Sequence, residues 1–109
     1  MTRSSGILLP VSALPGPCGI GDLGTAAREF IDFLAAAGQR YWQILPLNPP
    51  DSAHSPYLSA STFAGSTDLL SPEPFMARGA LTLDEVRSVD WGGDPMRVDY
   101  GRVHAGKTA

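Results

Sequence analysis

The chain has 109 residues, of which 43% are hydrophobic, and its 8 basic and 11 acidic side chains give a net charge of -3. A chain of this length buries a small core, and without a block of basic residues it is a poor match for nucleic acid or an anionic membrane. No segment has the length and apolarity of a signal peptide or membrane span, and the single cysteine, Cys18, cannot close an internal disulfide. These features predict a cytoplasmic protein that binds neither nucleic acid nor membrane.

The first half of the chain predicts an α/β arrangement of a strand, a helix and a second strand. The apolar run from Gly6 to Leu9 is typical of a strand and ends at Pro10. From Thr25 to Gly38, apolar side chains recur at helical spacing, and glycine is common just beyond a helix end. The residues of this apolar face are Ala26, Phe30, Phe33, Leu34 and Ala37. Tyr41 to Leu47 predicts the second strand, and such a connection favours parallel pairing through a right-handed crossover.

The chain is then predicted to be irregular from Asn48 to about Thr67, with a short helix after it. Ser71 precedes Pro72, and this pair is typical of a helix N-cap followed by proline at the first helical position. The helix is expected to end near Gly79, because glycine adopts the backbone conformation that commonly terminates helices.

The last part of the chain predicts one more helix and little else. Thr82 to Glu85 has the spacing of a capping box, which predicts a helix through Val89. Gly92 to Pro95 predicts a turn, and Met96 to Asp99 a short extended piece. No closing element is expected before Ala109.

The sequence GIGDLG, from Gly19 to Gly24, matches the glycine spacing of a dinucleotide-binding turn. Such a turn needs its first glycine directly after the first strand and a carboxylate at the end of the second strand. Here residues 10 to 18 intervene, the second strand ends in the apolar run Ile44 to Leu47, and Asp22 would place a negative charge beside the phosphates. We therefore interpret the glycines as residues that allow a tight turn into the helix, with Asp22 favouring the positive end of its dipole. No cofactor is expected.

Other candidate reactive groups do not form a recognisable site. Cys18, His54 and His104 lack the ligand spacing of a zinc site, so no metal is predicted. A thiol-imidazole pair of Cys18 and His54 would lack a third group to orient it, which favours a packing role for the cysteine. The acidic residues lie on helix-like segments or in loops, and Asp51, which follows the second strand, is interpreted as a solvated loop acid.

Three blocks of the sequence together resemble one enzyme family. They are SSGILLPVSALPGPCGIGDLGTAAREFIDFLAAAGQRYWQILPL, HSPYLSASTFAG and VDYGRVHAGK. The combination is similar to the N-terminal part of bacterial 4-alpha-glucanotransferases, the amylomaltases or disproportionating enzymes of glycoside hydrolase family 77. The resemblance covers nearly all of the chain and implies that residues 1 to 109 are an N-terminal fragment of the catalytic barrel.

The resemblance implies a fold and a reaction. The fold is a (β/α)8 TIM barrel, whose eight units need about 250 residues, and this chain would contribute its first two strands and insertion segments. The reaction is the transfer of a segment of an α-1,4-glucan to the 4-hydroxyl of an acceptor glucose or glucan. Retention of configuration requires a carboxylate nucleophile and a second carboxyl group that acts as acid and then base. In the family these carboxylates follow later strands, so no catalytic residue is assigned in this chain.

Substrate binding is implied for Ser55 and Tyr57, which belong to a Ser-Pro-Tyr motif lining the donor part of the family's glucan groove. The motif lies in the loop after the second strand, on the face where TIM barrels build active sites. The Tyr57 ring can lie against the C-H face of a glucose unit. Pro56 restricts Ser55 to an extended conformation, and the Ser55 hydroxyl can donate and accept hydrogen bonds. A merely structural role, in which both side chains order the loop, is the alternative.

Two departures from the family pattern affect this groove. His54 and Leu58 stand where many relatives have Asp and Gln beside Ser-Pro-Tyr, so polar contacts around the groove are expected to differ. Ser52 and His104 match positions that hold aromatic residues of a secondary glucan site in several relatives, and that site is not expected here.

The implied ligands are maltooligosaccharides, amylose and glycogen-derived glucans, and no cofactor is implied. The alternative function is that of a non-catalytic glucan-binding or vestigial domain. Two barrel strands would leave an open parallel edge and uncovered apolar faces. If such a domain exists alone, we predict that it packs poorly or associates.

Overall fold

The structure, a computed structural model, describes residues 2–109. Strands β1 (Gly6–Leu8) and β2 (Tyr41–Gln43) pair in parallel, with Gly6 opposite Tyr41 and Leu8 opposite Gln43. Helix α1 (Thr25–Ala36) connects them, which confirms the predicted strand-helix-strand start. The remaining helices are α2 (Glu73–Ala77), α3 (Leu83–Ser88) and α4 (Tyr100–Thr108), with one-turn 3₁₀ helices at Val11–Ala13 and Thr67–Leu69. Within residues 2–109 no helix has the length and apolarity needed to cross a bilayer.

Both strands are shorter than the sequence predicts. The Leu9 N–H still donates to the Gln43 carbonyl at 3.0 Å, but Pro10 has no N–H and leads directly into a 3₁₀ helix. The predicted continuation of the second strand, Ile44 to Leu47, therefore has no β partner among the described residues.

Two carboxylates accept hydrogen bonds from the backbone N–H groups at the start of helix α1. Asp22 Oδ1 accepts a hydrogen bond from the Gly24 N–H at 3.1 Å. The Glu73 carboxylate accepts from the Thr25 N–H at 2.8 Å and from its hydroxyl at 2.7 Å. Anions are stabilised at this end of a helix, so the predicted role of Asp22 is confirmed. The position that a pyrophosphate would need in a dinucleotide-binding turn is filled by carboxylates of the chain itself.

The buried apolar residues come from the segment between β1 and α1, from α1 and from α4, and the predicted apolar face of α1 is only partly covered. Leu34 is 5% exposed, but Phe33 is 64% exposed, because a two-stranded sheet is too narrow to cover the whole face. Phe30 contacts Trp42 edge to face, with ring centroids 5.0 Å apart. The buried apolar residues are Val11, Leu14, Cys18, Ile20, Ala27, Leu34 and Val103. Exposed apolar side chains on the strands, including Ile7 and Leu8, agree with the expected uncovered faces, and association of an isolated domain stays a prediction.

Helix α4 shows that the expectation of no closing element before Ala109 is wrong. The Asp99 carboxylate caps this helix by accepting from the Arg102 N–H at 3.1 Å, and Val103 is fully buried. A Cβ atom on Gly106 would lie 2.6 Å from the Trp91 ring, so glycine allows the helix to contact this side chain. Sequence patterns missed α4 because Val103 is its one buried residue and two glycines lower its helix propensity.

The two short helices before α4 are confirmed, with small differences at their ends. The Ser71 hydroxyl accepts from the Glu73 N–H at 3.3 Å, although Pro72 itself occupies the N-cap position of α2. The chain leaves this helix at Gly79, whose φ is 74°. In α3 the predicted capping box is complete, because Thr82 and Glu85 exchange hydrogen bonds between side chain and backbone in both directions.

The turn predicted at Gly92 to Pro95 lies two residues later, and the predicted extended piece from Met96 to Asp99 is absent. The Arg97 N–H donates to the Asp94 carbonyl at 3.2 Å, and the Met96 N–H donates to the Asp94 carboxylate at 2.8 Å. Aspartate commonly stabilises a turn by accepting from the amide two residues on. The Asp94 carboxylate therefore binds the Met96 N–H, which is then not available to pair with a neighbouring strand.

The capping box gives a testable pH dependence. Hydrogen bonds from the Thr82 hydroxyl and then the Thr82 amide lower the pKa of Glu85 from its ordinary value of 4.5. A carboxyl group with a lowered pKa stabilises the folded form above its ordinary value, and this contribution is lost as the pH falls through the lowered pKa. We expect an NMR titration of the Glu85 carboxyl carbon to have its midpoint below 4.5, and Thr82→Ala to raise it. A midpoint at or above 4.5 in the unsubstituted protein would contradict the capping role.

Candidate functional site

A cleft of about 250 Å³ opens at the C-terminal ends of both strands. Its walls come from the segment after β1, the segment after β2 and the start of α4. Residues on these walls include Val11, Leu45, Asn48, Pro56, Asp68 and Tyr100. The carboxyl ends of parallel strands are where α/β folds bind their ligands, so this cleft is the candidate functional site.

The loop that follows β2 has no helix or strand between residues 44 and 66, which confirms the irregular segment predicted from Asn48, and hydrogen bonds hold its backbone. The Asn48 side-chain amide donates to the Ser61 carbonyl at 3.1 Å and to the Ala64 carbonyl at 3.0 Å. The Ser66 N–H donates to the Leu47 carbonyl at 2.7 Å, which joins the two ends of the loop. The loop is therefore closed at its base.

Asp51 orders the tip of this loop. Its carboxylate accepts from the Ala53 N–H at 3.1 Å and from the Ser55 N–H at 3.3 Å. Its own N–H donates to the Leu58 carbonyl at 2.8 Å across the tip. Asp51, interpreted from the sequence as a solvated loop acid, is thus half-buried. Its carboxylate accepts hydrogen bonds from the backbone of its own loop.

Ser55 and Tyr57, the predicted substrate-binding residues, flank the cleft-lining Pro56 but do not line the cleft themselves. The Ser55 hydroxyl oxygen accepts from the Tyr57 N–H at 3.4 Å, and the Tyr57 side chain is 71% exposed. Pro56, between them, lines the cleft together with His54. The motif therefore reaches the cleft through its proline and the preceding histidine, and the Tyr57 ring is exposed to solvent.

His54 has two features that sequence reasoning missed. Its φ is 57°, a conformation that few residues other than glycine adopt. Its ring stacks on Tyr100, with centroids 4.2 Å apart and planes inclined by 8°. The two residues are far apart in the sequence and no local pattern links them, so no sequence signal could have found this contact.

Cys18 does not pair with His54. It is a free, fully buried thiol in the core. Burial raises its pKa, Lys107 acts in the opposite direction, and Asp22 and Glu73 raise the pKa further. The packing role that the sequence favours for this cysteine agrees with its burial.

Helix α4 is attached to the rest of the chain by two side-chain contacts, which we call the α4 anchor: a hydrogen bond between Asp68 and His104 and an ion pair between Asp22 and Lys107. His104 Nδ1 lies 2.9 Å from Asp68 Oδ1, and the Asp68 side chain is 10% exposed. Lys107 Nζ lies 3.2 Å from Asp22 Oδ2, and both side chains are 6% exposed. Lys107 also donates to the Leu70 carbonyl. The anchor joins α4 to the 3₁₀ helix Thr67–Leu69 and to the turn before α1.

The cleft has no pair of free carboxylates to act as nucleophile and acid within the part of the chain that the structure describes. Asp68 lines the cleft, but its carboxylate is bound to His104. Across residues 2–109, no three His, Cys, Asp or Glu side chains come close enough to hold a metal ion.

A strand-helix-strand unit with a cleft at the carboxyl ends of its strands defines an α/β protein, a class in which ligands commonly bind at that edge of the sheet. The chain belongs to glycoside hydrolase family 77, because the family profile described as 4-alpha-glucanotransferase matches residues 9–109. The resemblance predicted from the three sequence blocks is confirmed.

Individual relatives agree with this assignment. A 4-alpha-glucanotransferase of Streptococcus pneumoniae serotype 4 is 43% identical over 102 residues, which are 94% of this chain and 20% of the relative. One from Thermus thermophilus is 46% identical over 107 residues, covering 98% of the chain and 20% of the relative. Among solved structures, an amylomaltase from Streptococcus agalactiae in complex with acarbose matches 92% of the chain with a TM-score of 0.88 and 40% identity. The chain spans about a fifth of the length of these relatives.

Proposed function

We propose that this chain forms part of a 4-alpha-glucanotransferase, in which residues 1 to 109 provide the first two strands of a (β/α)8 TIM barrel and one wall of its glucan groove. The enzyme would transfer a segment of an α-1,4-glucan to the 4-hydroxyl of an acceptor glucose or glucan with retention of configuration. The observation that carries this proposal is Tyr57, an aromatic ring that is 71% exposed on a loop held in place at its base and tip.

The chemistry of the cleft supports a sugar ligand. An exposed tyrosine offers an apolar ring face for the C-H groups of a glucose unit and a hydroxyl for its oxygen atoms. The cleft beside it combines apolar walls, such as Leu45 and Pro56, with the hydroxyl groups of Ser12 and Ser66. Mostly apolar walls with a few polar groups are typical of small-molecule sites. Ser55, two residues before Tyr57, would contribute a further hydroxyl on the same loop.

The catalytic carboxyl groups are proposed to come from other parts of the enzyme. Retaining transfer needs two carboxyl groups about 5 to 5.5 Å apart, one of them free to attack the sugar. Asp68 is held by His104, and Asp51 accepts hydrogen bonds from the loop backbone. Neither is available as a nucleophile, which agrees with a chain that spans about a fifth of its relatives.

The exposed apolar side chains support a barrel in which further strands and helices cover this unit. Ile7 is 42% exposed and Leu8 is 56% exposed, although both lie in β1. Strands of parallel sheets are normally buried on both faces. The ligands we propose are maltooligosaccharides, amylose and glycogen-derived glucans, without a cofactor, and the cytoplasm is the proposed compartment because Cys18 is an unpaired thiol.

The function is tested by the substitution Tyr57→Ala in the full-length protein. Acarbose is a suitable probe because it is bound in the S. agalactiae amylomaltase structure. We expect the substitution to weaken acarbose binding about tenfold in isothermal titration calorimetry, since it removes the aromatic contact face. Tyr57→Phe, which keeps the ring and removes the hydroxyl, should give a smaller loss.

Met96→Ala provides the control, because this side chain is 88% exposed in a turn outside the cleft, and it should leave acarbose affinity unchanged. A transfer assay that follows glucose release from maltotriose accompanies the titrations. Acarbose binding without any transfer in the unsubstituted protein would favour the alternative, a non-catalytic glucan-binding or vestigial domain. Equal affinity of Tyr57→Ala and the unsubstituted protein would remove Tyr57 from the site.

A further inference from the structure

The backbone of the loop has a conformation at His54 that needs support from elsewhere. A φ of 57° is costly for a residue with a Cβ atom and persists where surrounding contacts hold it. The Asp51 carboxylate holds the residues on both sides of His54 by accepting from the Ala53 and Ser55 amides. The His54 N–H donates to the Asp51 carbonyl at 2.9 Å. These bonds define the backbone of the tip but do not connect the tip to the rest of the protein.

The His54 ring makes that connection. It lies parallel to the Tyr100 ring, with centroids 4.2 Å apart and an angle of 8° between the planes. Both residues line the cleft, and both also line a second depression formed by residues 93 to 101. The stacked pair therefore separates the two depressions and joins the loop tip to the first residue of α4.

Tyr100 is a firm support because α4 is held along its whole length. The Asp99 carboxylate caps its first turn, and Val103 is fully buried. One turn and two turns beyond Tyr100, His104 and Lys107 form the two contacts of the α4 anchor. A contact with Tyr100 therefore fixes the loop tip relative to helix α4.

We propose that Tyr100 is a positioning residue of the glucan groove, which acts through the His54 ring to hold Ser55 and Tyr57 in their binding geometry. His54 directly precedes Ser55, so any movement of its ring against Tyr100 is transmitted to the Ser-Pro-Tyr motif. That the motif binds glucan rests on the proposed function. The contact by which Tyr100 holds the loop does not depend on that function.

The test is a double-mutant cycle with Tyr100→Leu and His54→Asn in the full-length protein. Tyr100→Leu keeps an apolar side chain at the start of α4 and removes the ring. His54→Asn keeps a residue that tolerates positive φ and removes the stacking partner. Tyr100→Phe retains the stack and is the conservative rescue variant. If one variant does not fold, the other still tests the link, because His54 is exposed and lies outside the core.

The first readout is hydrogen exchange of the Ser55 and Leu58 amides, which needs no ligand. We expect each ring-removing substitution to speed exchange of these amides about three- to tenfold, the range that one aromatic pair allows. The double variant should exchange no faster than either single variant, and Tyr100→Phe should exchange like the unsubstituted protein. Unchanged exchange in Tyr100→Leu, or additive effects in the double variant, would overturn the proposal.

The second readout separates positioning from simple stability. With maltooligosaccharide as substrate, we expect Tyr100→Leu to raise KM about three- to tenfold with kcat within about twofold, and Tyr100→Phe to restore KM. A fall in melting temperature with KM unchanged would show a merely structural role and would also overturn the proposal. If the unsubstituted protein neither binds nor transfers glucan, the proposed function fails, and the exchange experiment still decides whether Tyr100 positions the loop.

Discussion

Lys107→Met is expected to lower the free energy of unfolding by about 3 to 5 kcal/mol, because it leaves a buried carboxylate without its counter-charge. The Asp22 and Lys107 side chains are each 6% exposed, and they join α4 to the turn that precedes α1. After the substitution, Asp22 would keep the hydrogen bond from Gly24 and lose its ion pair. Urea unfolding followed by tryptophan fluorescence measures the difference.

The same helix supplies a matched control for this substitution. Arg102 forms an ion pair with Asp90 at 2.8 Å, a shorter distance than in the buried pair, but the two side chains are 52% and 69% exposed. Exposed pairs are screened by solvent and contribute little to stability, so Arg102→Met should have a small effect. Adding Asp22→Asn to Lys107→Met should recover part of the loss, because the uncompensated charge is removed. Similar losses for Lys107→Met and Arg102→Met would show that burial of the pair does not matter.

Gly19→Ala is expected to destabilise the protein by about 3 to 5 kcal/mol, whereas Gly38→Ala should cost about 1 to 2 kcal/mol. Both glycines have nearly the same positive φ, 71° and 73°. A Cβ atom on Gly19 would collide with the Trp91 carbonyl oxygen and lie 3.1 Å from Val103 Cγ2, whereas a Cβ atom on Gly38 would meet nothing within 4 Å.

Gly38→Ala therefore measures the conformational cost alone, and Gly19→Ala measures that cost together with a steric clash. Thermal unfolding of the two variants under identical conditions gives the comparison. If both variants lose the same stability, the close approach of Trp91 to the glycine turn does not contribute to the fold. A large difference would show that the first glycine of GIGDLG is required for packing against the segment before α4.

Local features of this fold could be predicted from the sequence because their causes are local. The capping box of α3 needs Thr82 and Glu85 at one spacing, and the structure shows both of its hydrogen bonds. The strand ends and α4 could not be predicted in the same way. Whether Ile44 pairs depends on what Pro10 does across the sheet, and α4 is stabilised by partners as far away as Asp22, 85 residues earlier in the chain.

The candidate site was predictable only in part. The resemblance indicates Ser55 and Tyr57, and the structure places them on an ordered loop beside the cleft, where their binding role stays a prediction. The contact of His54 with Tyr100 left no trace in the sequence, because a stacked pair has no fixed spacing. The apolar pattern of α1 misled for a related reason: whether Phe33 is covered depends on neighbouring strands and not on the helix itself.

The separation between Asp22 and Lys107 also sets an order of events during protein synthesis. The two residues are 85 positions apart, so a ribosome adding about 5 to 20 residues per second needs about 4 to 17 s to reach the second after the first. Throughout that interval the Asp22 carboxylate has no lysine to neutralise it and must stay hydrated. The glycine-rich turn can therefore reach its buried position only when α4 has been synthesised. The glycine-rich turn and α4 are expected to pack together in one late, cooperative step of folding.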